Sequence, residues 1–239
     1  LALRDHYSEN FPLVTRLEVW TTTAKDNRTW ASHFPPGASV EEGVVVKRFE
    51  VSARDTDAFI RHEVSMAEGF LLNIQDQIEW MSNSVVSNDL SQHIKEHSFE
   101  FDAVFFAPYL FGVSVWGALI ARENSILIPC LHNEAYAYQD LIGYVFEKCR
   151  GIMFNALPEA RLAAELYTEE VILPKSEFVA MGFDRSEHPS VKPELTIYSK
   201  YGLAPGRYVL YCGRKESGKN LDLLLSFYDS EQQYPLVIA

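Results

Sequence analysis

No stretch of this sequence approaches the roughly 18 consecutive apolar residues that a transmembrane helix needs, so no such helix is expected. Cationic side chains are in the minority: 21 Lys and Arg against 33 Asp and Glu give a formal net charge of −12. A nucleic-acid backbone needs a basic surface, so this balance excludes a generic nucleic-acid binder. It leaves room for a small phosphate-bearing ligand, which needs only a local cationic spot. Cysteine is sparse. Cys130, Cys149 and Cys212 lie far apart, and Cys130 and Cys212 sit inside apolar runs, the pattern of buried free thiols in a reducing cytoplasm. No signal peptide is visible at the start, and no internal repeat or low-complexity segment is evident.

What is present is the composition of a soluble globular protein, 47% hydrophobic and 23% charged, long enough for one large or two small domains. Short apolar runs alternate with longer segments of helical period, which is the pattern of an α/β protein with a parallel sheet. Strands are expected over residues 16–23, 44–51, 101–108, 125–132, 151–156 and 177–183. The runs FDAVFFAP and SILIPCLH read as buried central strands. Residues 31–43, with Pro35-Pro36-Gly37, read as a loop. Ile60, Val64, Ala67, Leu71, Ile74 and Ile78 recur at spacings of three and four, which predicts one long helix with an inward apolar stripe. Helices are also expected over 89–97 and 112–121. The boundaries that follow are a first domain over 1–190, a Pro- and Gly-bearing linker over 191–206, and the start of a second domain over 207–239. The helix-like opening and the strand PLVIA at the end make the sequence read as a fragment of a longer protein.

Four motifs carry candidate chemistry. GRKESGK, residues 213–219, follows an apolar run and precedes a second one, so it reads as the loop between a strand and a helix. Backbone N–H groups and the helix dipole favour anions there, and Arg214 and Lys219 would add charge-assisted bonds to a phosphate. The spacing G-x-x-x-x-G-K is that of a P-loop, but Asn220 stands where Mg²⁺ needs Ser or Thr. HIKEH, residues 93–97, matches the H-x-x-E-H zinc-peptidase pattern, yet the segment is short and polar and reads as a solvated helix end. LHNEAYAY puts His132 and Glu134 where a strand of an open α/β sheet presents its C-terminal end to a ligand. The competing reading of His132 is a buried histidine satisfied by a backbone carbonyl. FFAPYLFG places Tyr109 at another such end, either as a substrate-cleft residue or as a core aromatic.

Taken in order, VWTTTAKDNRTWASHFPPG, FDAVFFAPYLFG, IPCLHNEAYAY, GIMFNALPEARLAAEL and YVLYCGRKESGKNLDLLLSF resemble a bacterial family-4 glycosyltransferase of the GT-B type. The resemblance covers nearly the whole chain. It implies two Rossmann-like domains facing each other across a cleft: an acceptor-side domain without its first strand, and the first βαβ unit of a truncated donor domain. It implies retaining, metal-independent transfer of a sugar from a nucleoside diphosphate sugar to a glycan or lipid-linked acceptor, with no cofactor beyond that donor. Gly213, Arg214 and Lys219 would hold the donor diphosphate and His132 would face the donor sugar, with Glu134 and Tyr109 near the substrate. His132-Asn133-Glu134 stands where the subgroup usually has His-Asp-Glu, and the family's two-glutamate motif would lie beyond Ala239. The implied location is cytoplasmic, with peripheral contact at the inner face of the plasma membrane allowed. A GT-B sugar-nucleotide epimerase, a non-catalytic nucleotide-binding module and a P-loop NTPase are the alternatives.

Overall fold

The structure, a computed structural model, describes residues 16–180, 182, 195–215, 219–230 and 234–239. The chain divides into two compact units, Leu1–Gly182 and Phe183–Ala239.

The first unit is α/β. Its parallel sheet has the order β4-β5-β6-β7, formed by β4 (Val104–Phe106), β5 (Ser125–Leu127), β6 (Gly151–Phe154) and β7 (Ser176–Phe178). A smaller sheet holds β1 (Glu18–Thr22) parallel to β3 (Val44–Phe49), with β2 (Gly37–Glu41) antiparallel to β3. The helices are α1 (Thr56–Ala67), α2 (Ile74–Ser82), α3 (Asn88–His97), α4 (Gly112–Ile120), α5 (Asp140–Lys148), α6 (Leu157–Tyr167) and the single turn α7 (Glu169–Ile172). The core gathers Trp80, Met81, Val115, Leu127, Ile142, Phe146, Ile152 and Phe154, from α2, α4, α5 and the strands. In the second unit β8 (Val209–Tyr211) pairs in parallel with β9 (Leu236–Ile238), and α9 (Leu221–Ser230) connects them. A further helix, α8 (Leu195–Tyr201), lies in the stretch read as a linker. The rest of that stretch's N-terminal part falls outside the described residues.

Several expectations need correction. Residues 31–43 are not all loop, because β2 forms a hairpin with β3. Its two turn residues, Glu42 and Gly43, both have positive φ, as a type I′ turn requires. The long helix is two helices. Gly69, at φ +90°, closes α1 in a Schellman arrangement: its N–H bonds to the Met66 carbonyl and the Phe70 N–H to the Ser65 carbonyl. Asn73 then caps α2, its side chain accepting the Asp76 N–H. The break redirects the apolar stripe. Ile60, Val64, Leu71, Ile74 and Ile78 are exposed, and Met66, Gln77, Trp80 and Met81 are buried in their place. Strand β4 lies at one edge of its sheet with Phe105 half exposed, and β5 ends at Leu127 rather than at His132. All three cysteines are free, but the buried one is Cys149. Cys130 is partly buried and Cys212 is exposed beside Val209 and Leu210, which are themselves uncovered.

The approach of α4 to the turn after α2 leaves no room for a side chain at Gly112. A Cβ there would lie 2.5 Å from Val86 Cγ1 and 2.8 and 2.9 Å from the carbonyl oxygens of Met81 and Val85. Two of these atoms are backbone and are already engaged: the Met81 carbonyl accepts the Ser84 N–H and the Val85 carbonyl accepts the Val113 N–H. Gly112→Ala is expected to lower stability by about 1–3 kcal/mol, the range for overpacking a tight contact. Urea denaturation checks it, and the midpoint should move without a change in slope.

A second consequence concerns pH. His93, on α3, packs edge-on to Trp20 at 4.6 Å and against Phe49 at 5.0 Å, and its Nε2 is buried without a hydrogen-bond partner. Burial, with the positive charges of His97 and Lys47 adding to it, pushes the His93 pKa down, against smaller opposing pulls from Glu18 and Glu100. The unfolded chain therefore takes up this proton more readily than the folded one. Stability should be complete above the ordinary histidine value of about 6.5 and fall as the pH drops below it. His93→Phe is expected to flatten that part of the profile. A separate loss should remain at lower pH from Glu18, where bonds from Trp20, Lys47 and Arg16 outweigh the upward push of burial and hold the carboxyl at about 2 instead of 4.5. Thermal melts of both proteins between pH 8 and pH 3 separate the two windows.

Candidate functional site

In a parallel sheet the chain leaves every strand at the same edge, so the segments after β4, β5 and β6 lie side by side. After β4 the chain passes a cis Ala107–Pro108 bond to Tyr109, whose N–H reaches the Pro129 carbonyl at 3.0 Å. After β5 the Ile128 N–H still bonds to Phe106, and the chain then turns at Cys130 with φ +55°. Leu131 points into the core and His132 is exposed. His132 is therefore not a satisfied core histidine, and it does not end a strand. It lies five residues past β5 in irregular chain, without a hydrogen bond or ion pair among the described residues.

Tyr109 is 1% exposed, so its ring belongs to the core and cannot line a cleft. Its hydroxyl donates to Glu134 Oε1 at 2.7 Å. Burial, reinforced by that hydrogen bond and the Glu134 charge, raises the Tyr109 pKa. The phenol thus stays a donor and fixes one oxygen of Glu134. The other Glu134 oxygen has no protein donor among the described residues, and the side chain is partly exposed. Next to it, the short 3-10 turn Ala135–Tyr138 is tied down at both ends. Tyr136 donates to Glu63 on α1 at 2.6 Å, and Tyr138 donates to Asn133 at 2.7 Å. Glu63 also takes the Trp80 indole N–H at 2.7 Å, and the Trp80 and Tyr136 rings stack at 5.6 Å. Two fully buried glutamines complete the frame. Gln77 donates to the Leu72 carbonyl and accepts the Leu141 N–H, both at 2.7 Å, while Gln139 accepts the Leu72 N–H at 3.2 Å and donates to the Ala135 carbonyl at 3.0 Å.

One residue that sequence reasoning missed holds this edge together. Glu159, in the first turn of α6, is buried, and its two oxygens accept the backbone N–H groups of Leu131 and Asn155, each at 2.7 Å. The available signal was a Glu at the third position of a helix with Pro158 before it, close to a capping-box pattern but without the Ser or Thr.

In the second unit, Gly213, Arg214 and Lys215 follow β8 after Cys212, and Lys219 and Asn220 precede α9. Residues 216–218 lie outside the described residues. The loop therefore runs from the C-terminal end of a strand to the N-terminus of a ten-residue helix. Arg214 and Lys219 are exposed, and the Tyr211 hydroxyl donates to the Arg214 carbonyl at 2.8 Å, which folds the loop back over β8.

Metal ligands are few. In HIKEH, Glu96 accepts from Gln92 and His97 bonds to Glu100 at 2.6 Å, while His93 packs among aromatic rings. These residues do not converge on one point. Among the described residues, His62, Asp76 and Glu79 form the one group with three ligating atoms within 4.8 Å. There His62 pairs with Glu79 at 2.7 Å, and Asp76 is bonded to the Asn73 cap at 2.7 Å, so the group works as a tie between α1 and α2. No helix among the described residues is long and apolar enough to cross a membrane.

No family model matches this chain, and neither does any curated protein. Among solved structures, a UDP-N-acetylglucosamine 2-epimerase from Rickettsia bellii is similar to it at 14% identity and a TM-score of 0.38, over 94% of this chain and 62% of that one. The chain spans less than two thirds of the length of that structure.

Proposed function

We propose that this chain is part of a retaining, metal-independent glycosyltransferase that uses a nucleoside diphosphate sugar and passes the sugar to a glycan or lipid-linked acceptor. The observation that carries the reading is the loop between β8 and α9. It leaves the C-terminal end of a strand, enters the N-terminus of a helix, and bears Gly213, Arg214 and Lys219 in an otherwise acidic chain. When the glycosidic bond breaks, negative charge builds on the leaving diphosphate. Arg214 can donate two N–H bonds to it and Lys219 a point charge, in the role a metal ion fills elsewhere. The helix dipole and the free N–H groups of the first turn of α9 add to both.

The sugar side of the reading rests on the first unit. His132 is exposed and can offer an imidazole hydrogen bond to the sugar. Glu134, with one oxygen fixed by Tyr109, has a second oxygen to accept a sugar hydroxyl. Peripheral contact with the inner face of the plasma membrane, in a cytoplasmic enzyme, would suit a lipid-linked acceptor.

The test uses the full-length protein, with a thermal-shift screen against nucleoside diphosphates and their sugars to find the donor. With that donor, Arg214→Ala and Lys219→Ala are each expected to lower turnover by about a hundredfold, the cost of removing one charge-stabilising donor. Lys215→Ala should have a much smaller effect, and turnover should survive EDTA. His132→Ala should slow transfer and leave the affinity for the bare nucleoside diphosphate unchanged. Equal losses at 214, 215 and 219 would mean general surface charge and would overturn the diphosphate site. Donor conversion without any acceptor would assign the chain to an epimerase instead.

A further inference from the structure

We propose that Glu159 is a positioning residue for His132: its carboxylate locks the chain leaving β5 to the chain leaving β6 and so holds the left-handed turn that sends His132 outward. The inference rests on the reading of His132 as a sugar-facing group. The geometry behind it is independent of that reading.

Glu159 is 7% exposed, and no cation pairs with it among the described residues. A carboxylate in that position is costly unless its oxygens are satisfied. Here each oxygen takes one backbone N–H at 2.7 Å, from Leu131 and from Asn155, and the first turn of α6 adds its dipole. The two donors sit on different strand exits, so the carboxylate acts as a clamp between them. Just before the clamped Leu131 the chain makes an unfavourable turn. Cys130 has φ +55°, a left-handed conformation in which the Cβ of a non-glycine residue is crowded. The Asn155 amide donates to the Cys130 sulfur at 3.4 Å, so the same clamp region also touches the turn itself. The Leu131 N–H is held by Glu159 and the Leu131 side chain is buried, while the following residue is exposed. That residue is His132.

The chemistry also explains why a carboxylate is needed. The two N–H donors here meet different oxygens of one side chain. Gln offers one oxygen and an NH₂ group that would oppose an N–H, and Asp has the oxygens but a shorter reach.

The experiment compares full-length wild type, Glu159→Gln, Glu159→Asp, His132→Ala and Val115→Ala, the last a core truncation in α4 that lowers stability away from the clamp. Hydrogen exchange by mass spectrometry follows the segment 128–134, and steady-state kinetics follow the donor found in the screen. Both Glu159 variants are expected to speed exchange over 128–134. They should lower kcat about ten- to a hundredfold, as for a misplacement of around 1 Å, with KM for the donor changing less than about threefold. Val115→Ala should lower the melting temperature and leave both readouts unchanged. Unchanged exchange over 128–134 in both Glu159 variants overturns the clamp. Faster exchange with unchanged kcat, while His132→Ala slows transfer, overturns the positioning role. An inert His132→Ala overturns the reading of His132 instead, and is recognised because the exchange result for Glu159 stands apart from it.

Discussion

Backbone amides that leave a parallel sheet lose their ladder partners, and when they stay buried something else must accept them. That constraint shapes the whole C-terminal edge of the first unit. Leu131 and Asn155 give their N–H groups to Glu159, Leu72 and Leu141 give theirs to Gln139 and Gln77, and Gly112 uses the Ser84 hydroxyl. Each acceptor is a buried side chain. The irregular segment between β5 and α5 is thereby tied to several other elements, although it has no regular structure beyond one 3-10 turn.

The same segment carries the two residues with chemistry to offer. His132 is exposed next to the buried Leu131. Glu134 is half committed because a buried phenol, Tyr109, holds one of its oxygens. A tyrosine whose pKa is raised by burial is a dependable donor, so this brace does not weaken with modest changes of pH. Tyr136 and Glu63 repeat the pairing on the other side of the turn, and they link it to α1. Among the described residues, the carboxylates of Glu63, Glu134 and Glu159 near this edge take hydrogen bonds rather than cations. Its candidate phosphate-binding cations, Arg214 and Lys219, belong to the second unit.

Local rules with short range were legible in the sequence. The alternation of apolar runs and helical periods specified an α/β protein with a parallel sheet, because buried strands and amphipathic helices have different periods. Helices α3 and α4 fall where they were expected, opened in α3 by the Ser87 cap. The strand–loop–helix at residues 209–230 was also readable, since glycine and charged residues between two apolar runs leave few other options. Two of the errors concern local turn chemistry. Apolar periodicity across 60–78 was followed through Gly69 and Asn73, whose capping chemistry is local and decisive, and the hairpin turn at Glu42-Gly43 was hidden behind two prolines.

The sequence by itself determined the α/β class, the position of several helices and strands and the residue types available for phosphate and sugar recognition. All of these follow from composition and from spacing within one element. Only the tertiary structure decided which of those residues face solvent. Tyr109 went to the core, His132 to the surface and the Ile60–Ile78 stripe outward, because exposure depends on what other elements cover each position. It alone revealed Glu159, whose two partners lie 28 and 4 residues away, on chain segments that meet only when β5 and β6 pair.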